Sequence, residues 1–182
     1  SKSLRNKILE LTGEYAKAVF EKKHEFIPGK THIPVSGKLI GRKEIQFAVD
    51  SCLDGWFTTG RFAEQFEKEF SEFIGSKYAI ATNSGTSSLE IVLRAIGIEG
   101  CTVIVPSNTF MATPLSVIKN GGSVVFADCN RYDMCLSAES LVKSITEKTK
   151  AVIVVHIGGH IAFDIEEIVE ICDKNGIFLI ED

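Results

Sequence analysis

The sequence predicts an α/β protein, a three-layer α/β/α sandwich in which a mostly parallel sheet lies between helices. From residue 78 onward, short apolar runs alternate with amphipathic stretches, which is typical of repeated strand–helix units. A turn rich in glycine and hydroxyl side chains follows the first apolar run, and the last run ends in Glu181 and Asp182. Because parallel strands end at one edge of a sheet, we expect both polar features at that edge.

Before residue 78 the sequence predicts three helices, at 3–23, 42–53 and 61–74, with a loop at 54–60. Apolar residues recur in each helix every three to four positions. The apolar side of the first helix consists of Leu4, Ile8, Leu11, Tyr15, Ala18 and Val19.

The helix at 61–74 carries a stripe of phenylalanines along one side. Such a stripe is far more often part of a core than a ligand contact, so we expect it to be buried. Its members are Phe62, Phe66, Phe70 and Phe73.

After residue 78, five strands are predicted to alternate with four helices through short connections. This pattern favours a parallel sheet with helices on both faces. The strands are predicted at 78–82, 102–106, 123–127, 151–155 and 177–181, and the helices at 86–97, 112–120, 137–145 and 164–175.

Composition and charge argue against several classes of protein. The 182 residues carry a net charge of −4 without a basic block, so we expect neither nucleic acid nor a membrane as partner. The five cysteines are odd in number and form no Cys-x-x-Cys, so we expect reduced thiols in a cytoplasmic protein. Two glycines lie between His156 and His160, which argues against a helix that would place both imidazoles on one metal.

The turn from Asn83 to Ser88 is the most informative functional signal. It lies between a predicted strand and a predicted helix, so backbone N–H groups and the positive end of the helix dipole meet there. Such a spot binds anions, most commonly phosphate. Simple N-capping by Ser or Thr explains the turn equally well when it is taken alone.

Asp182 and Phe110 complete a candidate pocket at the same edge. A carboxylate at a strand end can bind a ribose hydroxyl, a metal or a protonated ring nitrogen. A phosphate loop, an aromatic face and a carboxylate together describe a site for pyridoxal phosphate, in which Asp182 keeps the ring nitrogen protonated. Core packing is the alternative for Phe110. A Rossmann-type dinucleotide site is disfavoured because no Gly-x-Gly-x-x-Gly follows the first strand.

Six short motifs lie at 55–60, 83–89, 106–113, 122–128, 155–159 and 180–182. In these motifs the sequence resembles the sugar aminotransferases of the DegT/DnrJ/EryC1/StrS family, which are pyridoxal-phosphate enzymes of fold type I. Each motif is weak by itself, but all six follow the family's order.

The resemblance implies that 33–182 is the first part of a PLP-transferase-like large domain, truncated here, and that 1–32 is an N-terminal helix and arm. Family members are homodimers that move an amino group, typically from glutamate, to a nucleotide-linked keto-deoxysugar. Their products enter lipopolysaccharide, other cell-surface polysaccharides or antibiotic sugars. The implied cofactor is pyridoxal 5'-phosphate or pyridoxamine 5'-phosphate.

The resemblance also implies roles for individual residues. Gly85 and Thr86 would contact the cofactor phosphate, Phe110 would stack on the ring, and Asp182 would bind the pyridinium nitrogen. The rim of the active site, where the sugar nucleotide enters, would include Thr58, Thr59 and Gly60.

The amino end resembles a narrower group, the 3-dehydrases of CDP-linked 4-keto-6-deoxyhexoses, over 4–26, 28–30, 33–38 and 53–62. Those enzymes use pyridoxamine phosphate with an iron–sulfur cluster and carry a histidine in place of the Schiff-base lysine. The short connection at 97–100 and the middle of the chain favour the aminotransferase.

The resemblance places the Schiff-base lysine, or the dehydrase histidine, after Asp182. We therefore expect no catalytic nucleophile within these 182 residues and no activity from the chain alone. A non-catalytic truncated paralogue, which binds a full-length partner through the family's dimer surface, is an alternative of another class.

Overall fold

A computed structural model describes residues 2–21, 25–34 and 36–182. The predicted end of the first helix at 22–23, and Val35 in the stretch that resembles the dehydrases, lie outside the described residues. The chain forms two compact units, which meet in sequence between Ala81 and Thr82. In the described part of the chain, no helix has both the length and the apolar character needed to cross a bilayer.

The first unit contains three helices, α1 (Lys2–Phe20), α2 (Arg42–Cys52) and α3 (Arg61–Ile74). The three helices expected from apolar periodicity are therefore confirmed. Gly75 ends α3 with a φ of +72°, a left-handed conformation that glycine adopts without the steric cost of a Cβ atom.

α1 packs against α2 through its small residues rather than through its predicted apolar side. Gly13 and Ala16 are the buried residues of α1. A Cβ atom on Gly13 would lie 2.6 Å from side-chain nitrogens of Arg42 and Gln46, so glycine allows the two helices to approach. Gln46 also donates a hydrogen bond of 2.7 Å to the carbonyl of Leu9. All six residues of the predicted apolar side are exposed, namely Leu4, Ile8, Leu11, Tyr15, Ala18 and Val19.

The prediction that the phenylalanine stripe of α3 is buried is wrong. The Phe62 ring lies 5.6 Å from the Phe47 ring of α2 and is half-buried. Phe66, Phe70 and Phe73 remain 55%, 43% and 87% exposed. Periodicity identifies an apolar face but not what covers it, and Phe66 and Phe70 stack on each other at 5.5 Å instead of entering a core.

The second unit contains a parallel sheet of four strands, β1 (Thr102–Pro106), β2 (Ser123–Ala127), β3 (Thr149–Val154) and β4 (Phe178–Glu181). The strand order is β2–β1–β3–β4. β1 lies between β2 and β3, so successive connections run toward opposite edges of the sheet. At such a switch point, α/β proteins bind ligands in the crevice at the carboxyl ends of the strands.

Four helices accompany this sheet, α4 (Gly85–Ile96), α5 (Ala112–Lys119), α6 (Ala138–Ser144) and α7 (Ile165–Asn175). α4 and α5 pack on one face, where Leu93 joins Val103 and Val105 in a core cluster. α6 and α7 pack on the other, where Leu141 joins Ile104. Successive side chains of β1 point to opposite faces, which explains the two clusters. The predicted three-layer architecture is confirmed.

The strand predicted at 78–82 is not formed. Tyr78 and Ile80 are 74% and 72% exposed, and none of the four strands pairs with this segment. The amide of Ala81 donates to the Glu67 side chain at 2.8 Å instead of to a neighbouring strand. An apolar run becomes a strand only where a partner supplies hydrogen bonds, and within the described residues this run has no such partner.

Candidate functional site

The turn before α4 is organised by Ser84. Ser84 is the N-cap residue, and its Oγ accepts a hydrogen bond of 3.2 Å from the amide of Ser87. Its carbonyl accepts from Ser88 N at 3.1 Å and from Thr82 Oγ1 at 2.9 Å. The capping role that the sequence left open therefore belongs to Ser84.

Gly85 and Thr86 are left free for another role. They are the first two residues of α4, and both are exposed. Their amide groups have no hydrogen-bond partner among residues 2–21, 25–34 and 36–182, and neither does the Thr86 hydroxyl. Two open amides and a hydroxyl at the positive end of a helix dipole are suited to an anion.

The amino end of α4 lies at the carboxyl edge of the sheet. α4 ends at Ile96, shortly before β1 begins at Thr102, so the helix runs antiparallel to the strands. Its 12 residues span about 18 Å, close to the length of β1. α5 begins at the same edge, directly after the loop that follows β1, and packs on the same face as α4.

Asp182 lies at this edge too, immediately after β4. Its amide donates to the carbonyl of Val154 at 2.8 Å, and its carbonyl accepts from His156 N at 3.0 Å. On the α5 face, its Oδ2 accepts a hydrogen bond of 3.0 Å from Thr113 Oγ1. Thr113 is only 1% exposed. Its Oγ1 in turn accepts from Thr109 Oγ1 at 2.8 Å.

Phe110 does not pack in the core, which settles the alternative left open for it. The residue is 79% exposed and lies in the loop between β1 and α5. Its carbonyl accepts a hydrogen bond of 3.0 Å from the amide of Thr113. The ring is therefore available to a ligand at the edge that also holds Asp182.

The opposite face of this edge carries a second polar pair that the sequence reasoning missed. His156 Nε2 lies 2.9 Å from Glu181 Oε2, and His156 Nδ1 accepts from the amide of Ala162 at 3.1 Å. Both ring nitrogens of His156 thus have protein partners. No group of three or more His, Cys, Asp or Glu side chains suited to a metal occurs among the described residues.

Asp133 joins the loops that follow β2 and β3. It is 8% exposed and accepts hydrogen bonds from the amides of Phe163 at 2.6 Å and Cys135 at 3.0 Å. Burial acts to raise its pKa, but these amide donors stabilise the carboxylate and bring the pKa below its ordinary value. The sequence gives no signal for Asp133, because both donors are backbone groups.

The first unit holds the residues predicted at the substrate rim. Trp56 Nε1 donates to the carbonyl of Thr59 at 2.9 Å, and Arg61 Nε binds Asp54 at 2.8 Å across the loop. Thr58 and Thr59 are exposed, and Gly60 is the N-cap of α3. A cavity of about 350 Å³ adjoins the loop and is lined by Ser51, Asp54, Trp56, Thr58, Gly60, Arg61, Phe62 and Ala63.

Four charged groups hold this loop against the helices. Arg5 of α1 binds Asp50 and Asp54 at 2.6 Å, and Arg61 binds the same two carboxylates. Hydrogen bonds from Arg61 and Arg5 lower the pKa of both Asp50 and Asp54. The sequence reasoning did not pair these residues, since Arg5 is 45 positions from Asp50.

A sequence model of the DegT/DnrJ/EryC1/StrS aminotransferase family matches residues 39–182. The chain belongs to this family. The expected recognition is thereby confirmed, and the match covers the loop at 54–60, the turn before α4 and Asp182.

Individual relatives support the same assignment. The chain is 37% identical to the lipopolysaccharide biosynthesis protein RfbH of Salmonella typhimurium over 99% of this chain and 43% of that protein. It is 36% identical to the GDP-perosamine synthase of Vibrio cholerae over 82% of this chain and 41% of that enzyme. The chain thus spans less than half the length of these relatives.

Two solved structures have the same fold. NtdA from Bacillus subtilis with bound pyridoxamine phosphate matches 91% of this chain and 39% of its own, with a TM-score of 0.74 and 32% identity. The E. coli GDP-4-keto-6-deoxy-D-mannose-3-dehydratase with hydrated pyridoxal phosphate matches 83% of this chain and 40% of its own, with a TM-score of 0.74 and 28% identity. Proteins that bind pyridoxal phosphate or pyridoxamine phosphate therefore share the fold of the chain.

Proposed function

We propose that the whole protein is a pyridoxal-phosphate-dependent aminotransferase that acts on a nucleotide-linked keto-deoxysugar in the synthesis of a cell-surface polysaccharide. The observation that carries the proposal is the shared edge of the second unit. This edge carries the amides of Gly85 and Thr86, which have no partner among the described residues, together with the exposed ring of Phe110 and the carboxylate of Asp182. The amino-acid donor is proposed to be glutamate.

The residues present fit the cofactor. The amino end of α4 suits a phosphate, because its first two amides and the Thr86 hydroxyl are unpaired within the described residues. Asp182 Oδ2 already accepts from Thr113, whereas Oδ1 has no partner among the described residues and is therefore the more open acceptor for a protonated ring nitrogen. Bound there, the cofactor supplies an electron sink for bond breaking next to nitrogen.

The amine nucleophile is proposed to come from outside the second unit. The proposed cofactor site lies at the carboxyl ends of the strands. The lysines of this unit lie at the opposite edge of the sheet, in the last turns of helices or near the start of β3. Lys150 is four residues before the end of β3, a distance of about 13 Å along the strand. These lysines are Lys119, Lys143, Lys148, Lys150 and Lys174.

A homodimer, with Thr58, Thr59 and Gly60 at the sugar-nucleotide entrance, completes the proposal. The exposed apolar sides of α1 and α3 support a further protein contact. The domain division at 1–32 and 33–182 is likewise proposed from the resemblance. The exposed hydroxyls of Thr58 and Thr59, beside a cavity lined by polar and aromatic groups, support a role in sugar recognition.

A 3-dehydrase acting on the same class of substrate is the second candidate. One observation favours it: a dehydratase is among the proteins that share the fold.

The test incubates the whole protein with a set of nucleotide-linked 4-keto-6-deoxyhexoses, in one reaction with pyridoxal phosphate and glutamate and in a second with pyridoxamine phosphate and a chemical reductant. Mass spectrometry then identifies the sugar product. An aminotransferase yields a product that has exchanged the keto oxygen for nitrogen. Loss of a hydroxyl group instead identifies the dehydrase. Asp182→Asn is the control, and we expect it to reduce turnover severely without unfolding the protein. Retention of cofactor without turnover of any sugar would contradict both candidates and favour the non-catalytic paralogue.

A further inference from the structure

Thr113 connects the two groups that are proposed to hold the cofactor ring. Its hydroxyl donates to Asp182 Oδ2 at 3.0 Å, and its amide donates to the Phe110 carbonyl at 3.0 Å. The hydroxyl also accepts from Thr109 at 2.8 Å. We propose that Thr113 is a positioning residue that fixes the Asp182 carboxylate relative to Phe110, so that Oδ1 is turned toward the ring nitrogen.

The direction of the two hydroxyl hydrogen bonds follows from the chemistry of the partners. An ionised carboxylate can only accept, so the single proton of Thr113 must point to Asp182. The contact between the two threonines must then use the proton of Thr109. Thr109 therefore orients Thr113, and Thr113 orients Asp182, in a short directed chain.

Burial makes this chain more than a surface contact. Thr113 is 1% exposed, whereas Asp182 is exposed, so the Thr113 hydroxyl holds the carboxylate from its buried side. Two anchoring elements meet at this hydroxyl, because Thr113 belongs to the first turn of α5 and Asp182 follows β4. These hydrogen bonds link the loop after β1 to the end of β4, and Thr113 and Asp182 are 69 positions apart in the sequence.

The same helix provides a matched control. Ser116 lies one turn further along α5, is also 1% exposed, and its hydroxyl has no hydrogen-bond partner among the described residues. Removal of that hydroxyl therefore changes a buried polar group of α5 without touching Asp182. Ser116→Ala therefore controls for a substitution inside α5, and Thr113→Ser controls for the hydroxyl itself.

The inference rests on the proposed function, and its test uses pyridoxamine phosphate, which binds without a Schiff-base lysine. The measurements on the whole protein are the dissociation constant and the ¹⁵N chemical shift of the ring nitrogen in bound, ¹⁵N-labelled cofactor. Thr113→Val should weaken binding about 5- to 30-fold and lower the protonated fraction of the ring nitrogen. Thr113→Ser should restore both values, and Ser116→Ala should leave both unchanged.

Two results would count against the inference, and they differ from each other. If the unmodified protein does not bind pyridoxamine phosphate, the proposed function fails and the inference fails with it. If the unmodified protein binds it and Thr113→Val keeps the same dissociation constant and the same ¹⁵N shift, only the positioning role of Thr113 is overturned. The serine variant retains the hydroxyl, so it separates loss of the donor from general damage to α5.

Discussion

The Nε2 atom of His156 lies 2.9 Å from Glu181 Oε2, which joins the carboxyl ends of β3 and β4. The amide of Ala162 donates to Nδ1, so that nitrogen carries no proton and Nε2 donates to Glu181. Thr113 holds Asp182 on the other face of the same edge. The residues after β3 and β4 are thus fixed from both faces of the sheet.

His156→Ala should lower the free energy of unfolding by about 1–2 kcal/mol, because the Ala162 amide and the Glu181 carboxylate both lose a partner. His156→Asn places an acceptor near the former Nδ1 and should recover part of the loss. His156→Gln places an amide donor near the former Nε2 and should also recover part of it. Chemical denaturation of the three variants measures this. If all three variants have the same free energy of unfolding as the unmodified protein, the hydrogen bonds of His156 contribute nothing to stability.

The ion pairs around Asp50 predict a dependence of stability on pH. Its pKa lies below the ordinary 3.8, first because of Arg61 and also because of Arg5. Because the pKa of Asp50 is lower in the folded than in the unfolded chain, its carboxylate stabilises the folded chain at pH values above 3.8. This contribution is lost as the pH falls through the pKa of the folded state. Asp50→Asn should therefore lower the free energy of unfolding by about 1 kcal/mol at pH 7 and by progressively less in acid.

Chemical denaturation of Asp50→Asn at several pH values tests this, with the exposed Glu10→Gln as control. A constant difference down to pH 2 would contradict the assignment.

The cysteines should differ sharply in reactivity. Burial raises the pKa of the Cys172 thiol to about 11, and it also raises the pKa of Cys135. At pH 8 only about one Cys172 thiol in a thousand is then ionised. Cys52 is exposed. A disulfide-exchange reagent should modify Cys52 rapidly and the two buried thiols only after unfolding. Rapid labelling of Cys172 in the folded protein, located by peptide mass spectrometry, would contradict its burial.

Thr86→Val tests the proposed phosphate contact. The substitution removes one hydroxyl from the amino end of α4, so the affinity for pyridoxamine phosphate should fall by about 1–3 kcal/mol, or about 5- to 150-fold. Thr86→Ser keeps the hydroxyl and should bind normally. Titration by fluorescence or calorimetry measures both. An unchanged affinity in the valine variant would leave Thr86 as an ordinary residue of the first helical turn.

Local patterns predicted the elements that pack within a unit. The boundaries of α3, β1 and β2 agree with the sequence, because apolar period, glycines and turn residues all mark the same positions. The segment at 78–82 and the rings of Phe66, Phe70 and Phe73 were mispredicted, since periodicity identifies a face without naming its partner.

The sequence predicted some residues of the candidate site but not others. Gly85, Thr86, Phe110 and Asp182 lie in recognisable motifs at the ends of predicted elements. Thr113 was missed, although Thr109 and Thr113 have the four-residue spacing of neighbours on a helix. Its partner Asp182 is 69 positions away, and only the fold brings those two side chains together.

The central claim is that one edge of the second unit holds the cofactor. A crystal structure of the whole protein with pyridoxamine phosphate tests it most directly. We predict the phosphate at the amides of Gly85 and Thr86, the ring against Phe110, and the ring nitrogen within hydrogen-bond distance of Asp182 Oδ1. A phosphate bound away from the amino end of α4, or a ring nitrogen without contact to Asp182, would contradict the account.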